Sequence, residues 1–95
     1  MRIIWSPFAN ANLAEIHDYY SYRNPKAATK LLTKIYKSAG NLAHYPNLGK
    51  PNRLKTCRLL QVPGTAYLLP YRIVGDRVET IAVFDQRQDK PKHFQ

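Results

Sequence analysis

Ninety-five residues provide enough chain for one domain and too little for two. Hydrophobic residues make up 44% and charged residues 22%, the balance of a soluble globular chain, and no apolar run nears the roughly 20 residues of a membrane helix. Fifteen Lys and Arg against six Asp and Glu leave a formal charge of +9, which favours an anionic partner through steering and counterion release.

In chain order, MRIIW reads as a short β-branched strand. Its apolar run is too short for the core of a secretory signal, so a cytoplasmic protein is expected. SPFANANLAEIHDYYSYRN follows as a helix, with Ser6 as N-cap and Pro7 at the first helical position. Ala9, Leu13, Ile16 and Tyr20 recur at spacings that place them on one face, and the helix should end near Tyr22 or Arg23. Asn24 and Pro25 repeat the start signal for a second helix, PKAATKLLTKIYKSAGNLAHY. Ala28, Leu32, Ile35, Ala39 and Leu42 form its apolar stripe, with Lys26, Lys30, Lys34 and Lys37 opposite as a solvated face. Trp5, Phe8, Tyr19 and Tyr20 are expected on the core side.

The second half has β character. GKPNRLKT is a basic loop, CRLLQV a strand, Pro63-Gly64 a turn, and AYLLPYRIV a longer strand interrupted by Pro70. Pro70 implies a bulge there, or an N–H position facing away from any neighbour. Gly75-Asp76 joins this strand to RVETIAVF as a hairpin. The lone Cys57 reads as a buried, inert thiol, and residues 89 to 95 as a loose tail. The expected fold is therefore α+β in the order β-α-α-β-β-β: one domain over residues 1 to 95, an antiparallel sheet with the N-terminal helical hairpin packed on one face.

WSPFANANLAEIHDYY, NPKAATKLLTKI, NLAHYPNLGKP, CRLLQV, AYLLPYRIVGDRVETIAVF and the closing RQD resemble, in order and spacing, the RelE/ParE toxins of bacterial type II toxin–antitoxin systems, and within them the ParE-like branch. The resemblance covers nearly the whole chain. It implies a small cytoplasmic toxin, wrapped and neutralised by a cognate antitoxin in a hetero-oligomer. ParE-like members are associated with poisoning DNA gyrase, whereas RelE-like members cleave mRNA in the ribosomal A site.

RNA cleavage by 2′-hydroxyl attack needs a proton acceptor, a proton donor and cations to hold the transition state. Lys55, Arg58, Arg72 and Arg87 are the candidate catalytic residues if the chain is a nuclease, with Asp85 or Tyr71 as proton carriers. His17, His44 and His93 fall outside the strands, and Phe84-Asp85-Gln86 stands where nuclease members often carry a His or Tyr. The reading therefore leans away from an enzyme and towards gyrase inhibition. Lys50, Arg53, Arg58, Arg72, Asp85 and Arg87 are then the candidate target-binding residues. Arg58 and Arg72 should lie on the open sheet face or pair with an acid such as Asp85 or Glu79. A non-toxic, basic nucleic-acid-binding module is the third reading. No metal cluster, phosphate loop or Ser/His/Asp arrangement is present in the sequence, so no cofactor is expected.

Overall fold

The computed structural model describes residues 1–52 and 56–87. Its elements run β1 (Arg2–Trp5), α1 (Pro7–Arg23), α2 (Pro25–Asn41), β2 (Lys50–Asn52), β3 (Cys57–Gln61), β4 (Tyr67–Val74), β5 (Arg77–Thr80) and β6 (Phe84–Asp85). The expected α+β class and the packed helical hairpin are both present. Two elements go beyond the expected order. The start of the basic loop pairs as β2, and RVETIAVF is split into β5 and β6.

Both helices begin where their caps dictate. The Ser6 hydroxyl accepts the Ala9 N–H at 3.0 Å, with Pro7 at the first helical position, where its missing N–H costs nothing. Asn24 serves both helices. Its backbone N–H donates to the Tyr20 carbonyl at 2.6 Å, closing α1, and its side-chain oxygen accepts from Ala27 at 3.2 Å, opening α2. A one-residue connection forces the helices into an antiparallel hairpin. The second helix ends at Asn41, earlier than the periodicity of its apolar residues suggests. Leu42, Ala43 and His44 donate to the carbonyls of Ala39, Gly40 and Asn41, a tightening to three-residue turns that draws Leu42 into the core.

The sheet order is β1-β5-β4-β3-β2, with β6 also on β4. All pairs are antiparallel except β1 with β5, so the sheet is mixed. Side chains alternate between faces. Leu60, Val62, Tyr67, Leu69, Tyr71 and Val78 meet Leu13, Ile35, Ala39 and Leu42 of the hairpin in one core, with Ile3, Trp5, Ile16 and Tyr20 packed around it. Three side chains depart from expectation, the first being Phe8, which stands off this core beside Ile4, Arg72 and Ile81. Tyr19 is exposed, with the Arg23 guanidinium 3.7 Å over its ring, and Cys57 is only half-buried.

Pro70 is fully buried inside β4. It has no N–H to offer the strand beside it, and that strand bulges at this point. Thr80 pairs with Tyr71 and Phe84 with Leu68, so one extra residue enters between β5 and β6. The bulge is thus on the facing strand rather than on the one that carries the proline. The cap of α1 and a side chain within it close its open groups: the Ser6 hydroxyl donates to the Ile81 carbonyl at 3.0 Å, and the Asn12 side-chain oxygen accepts the Val83 N–H at 2.9 Å.

Candidate functional site

Beyond the bulge, β6 delivers Asp85 to the helix side of the sheet, level with Tyr67 in the register. Asp85 is 7% exposed and would be an isolated buried charge without a partner. Arg87 supplies three donors. Its backbone N–H and Nε–H reach Oδ1 at 2.9 and 3.0 Å, and Nη2–H reaches Oδ2 at 2.7 Å. The side chain of Arg87 is 71% exposed, so one edge of the guanidinium is spent on the clamp and the rest faces solvent.

Arg87 stands at the mouth of a groove of about 900 Å³ between α2, the β3–β4 turn and the end of β6. Lys30 and Lys34 line the same groove, Leu31 and Tyr67 form part of its wall, and no acid lines it among the described residues. Sequence reasoning placed these two lysines on a solvated helix face. The turn at Val62–Thr65 brings the opposite wall up to them, so closely that a side chain at Gly64 would stand 3.4 Å from the Lys34 ammonium.

The ionisation states follow from these contacts. The Arg87 guanidinium holds the Asp85 carboxyl below the usual carboxylate range, and Asp85 in turn pushes Arg87 up. Burial, then a hydrogen bond with Tyr20, pushes the Tyr67 hydroxyl well above the usual phenol value. At neutral pH the site therefore presents a fixed cation, a carboxylate already engaged and a phenol that keeps its proton. Because the folded-state pKa of Asp85 lies below its unfolded value, the clamp stabilises the fold fully above about pH 4 and is lost as pH falls through the folded value. Asp85→Asn should abolish that part of the acid response. Equal loss of stability on acidification in the two proteins, followed by circular dichroism, would count against the clamp.

The other candidate residues do not join this cluster. Arg58 pairs with Tyr71, four residues from Tyr67 along β4, or about 13 Å away by strand geometry. Neither alternative expected for Arg58 holds. Its Nη1 donates to the carbonyls of Gly49 at 2.7 Å and Asn47 at 3.3 Å, binding the loop before β2. Tyr71, considered as a proton carrier, is fully buried. Its hydroxyl donates to the Pro46 carbonyl at 2.6 Å and accepts the Gly49 N–H at 2.8 Å, and burial pushes its pKa up.

Arg72 lies on the face away from the helices and pairs with Glu79 at 3.3 Å, as one reading of the sequence required. Arg77 holds the other oxygen of Glu79 at 2.9 Å, and Arg77 foremost, with Arg72, keeps that carboxyl below its ordinary range. Arg72 borders a second hollow on that open face, with Ile4, Pro7, Phe8 and Ile81. Lys50 is exposed on β2, while Arg53 and Lys55 lie outside the described residues, as do residues 88–95 with the expected tail and His93. Among the described residues no group of three or more His, Cys, Asp and Glu could hold a metal ion, and no helix is long and apolar enough to cross a membrane.

Comparison with known proteins places the chain. A structure from the chromosomal ParDE TA system of P. aeruginosa shares the fold, with a TM-score of 0.79 at 23% identity over 90% of this chain and 95% of that one. Toxin RelE2 of Caulobacter vibrioides is 27% identical over 86% of this chain and 91% of its own. Y4kP of Sinorhizobium fredii, a toxin by its name, is 36% identical over 96% of this chain and 94% of its own. Residues 3–90 match the family described as the ParE toxin of the type II toxin–antitoxin system parDE, and the chain belongs to that family.

Proposed function

We propose that this toxin inhibits DNA gyrase in the cytoplasm and is held inactive by a cognate antitoxin, with Arg87 as the principal contact to the target. The observation that carries the reading is the clamp itself. A guanidinium fixed at Nε and Nη2 by a buried carboxylate presents its remaining donors at little further entropic cost, which suits recognition of a carboxylate or phosphate on a partner.

The same groups suit acid–base catalysis poorly. Asp85 is engaged and ionised, Tyr67 keeps its proton, Tyr71 is committed to the Pro46–Gly49 loop, and His17 and His44 stand on or just after helices. This favours protein inhibition over ribosome-dependent cleavage of mRNA. The antitoxin is expected to be acidic and to lie against Lys30 and Lys34, shielding Arg87 while the groove is covered.

Purified toxin added to gyrase and relaxed plasmid should suppress supercoiling, and added antitoxin should restore it. Undiminished supercoiling at excess toxin would overturn the reading. Toxin-dependent new 5′ ends in mRNA from a translating extract would move the target to the ribosome.

A further inference from the structure

We infer that Asn12 is a positioning residue for Arg87: it holds the one-residue bulge that turns the end of the last strand, and Arg87 with it, onto the helix side of the sheet. The importance of Arg87 rests on the function proposed above; the geometry of the bulge does not.

Side-chain parity carries the inference. Glu79 pairs with Arg72 on the face away from the helices. Regular alternation from Glu79 would send residues 81, 83, 85 and 87 to that same face. The structure shows otherwise. Val83 is in the core, Asp85 is level with Tyr67, and Arg87 lines the groove with Tyr20, Lys30 and Lys34. The inversion comes from the extra residue between Thr80 and Phe84.

Three contacts, made by Ile81 and Val83, hold the bulged segment in place. The Ile81 N–H donates to the Pro70 carbonyl at 2.8 Å, the Ser6 hydroxyl to the Ile81 carbonyl at 3.0 Å, and the Val83 N–H to the Asn12 side chain at 2.9 Å. The last is the decisive one. Ala82 and Val83 are buried, so a Val83 N–H without Asn12 would have lost its water and gained nothing in return. Pro70 meanwhile offers the regular ladder no donor at this point, so a regular register would lack one of its hydrogen bonds there. A single side-chain acceptor from α1 can then decide between the bulged and regular registers. Ser6 is the weaker probe because its hydroxyl also caps α1.

The test uses four full-length variants: Asn12→Ala, Asn12→Asp, Arg87→Ala and the double Asn12→Ala/Arg87→Ala. Asn12→Asp keeps an acceptor for the Val83 N–H. Gyrase inhibition should weaken at least about tenfold in Asn12→Ala, stay within about threefold of the parent in Asn12→Asp, and be no worse in the double variant than in Arg87→Ala. Losses that multiply in the double variant would show that Asn12 acts independently of Arg87 and would overturn the inference.

A second readout needs no gyrase. The Arg87 Nε–H, bonded to Asp85, should give a slowly exchanging NMR signal in the parent and in Asn12→Asp, and lose its protection in Asn12→Ala. Should Asn12→Ala not fold, Asn12→Ser, whose shorter side chain falls short of Val83, takes its place. Retained protection in the Ala or Ser variant overturns the inference. Lost protection in a series whose parent leaves gyrase untouched would sustain the positioning role and remove only the choice of target.

Discussion

Gly49→Ala is expected to lower the melting temperature by more than about 10 °C. A Cβ at Gly49 would stand 2.6 Å from Cε1 of the Tyr71 ring and 2.8 Å from both the Tyr71 hydroxyl and the Leu59 carbonyl oxygen. None of these neighbours can yield easily. The Leu59 carbonyl belongs to β3, and Tyr71 is fully buried with its hydroxyl tied to Pro46 and Gly49. Overpacking costs about 1 to 3 kcal/mol and a displaced buried hydroxyl a similar amount, so a total near 3 kcal/mol is expected. Thermal unfolding followed by circular dichroism measures it. A fall of under about 3 °C would mean that the loop carrying Gly49 moves aside freely.

Arg87→Ala is expected to abolish growth inhibition and to weaken gyrase inhibition at least about tenfold, while the protein still folds and co-purifies with its antitoxin. The side chain is 71% exposed and is held by its clamp on Asp85, so little packing is lost. The variant leaves Asp85 without its guanidinium. Some loss of stability at neutral pH should therefore accompany the loss of function, and Arg87→Lys separates the two. Lysine restores a charge near Asp85 but cannot reproduce a two-point clamp with donors to spare. Growth inhibition by Arg87→Ala equal to that of the parent would leave this strand end with no role in the target contact.

What the chain revealed before folding was the part written in short-range chemistry. Ser6-Pro7 and Asn24-Pro25 mark both helix starts because capping is satisfied within three residues. The buried faces of Ala9 and Leu13, and of Ala28, Ile35, Ala39 and Leu42, follow from spacing alone. What stayed hidden depends on partners far away in sequence. Nothing local tells Arg58 that it will bind the carbonyls of Gly49 and Asn47. Lys30 and Lys34 read as solvated because the wall that faces them belongs to a turn about 30 residues later. Pro70 did leave a visible mark, but the bulge it accompanies lies on the neighbouring strand, and its effect is felt at Arg87.

The pairing of β1 with β5 places the first strand of the chain beside one that begins only at Arg77. During synthesis the helical hairpin can form early from contacts close in sequence, while Arg2–Trp5 has no partner until most of the polypeptide exists. Arg87 follows ten residues after Arg77, so the strand that closes the sheet and the Arg87–Asp85 clamp become available nearly together. Incomplete chains thus lack the strand that closes the sheet on β1, and on the function proposed above they lack the target contact as well.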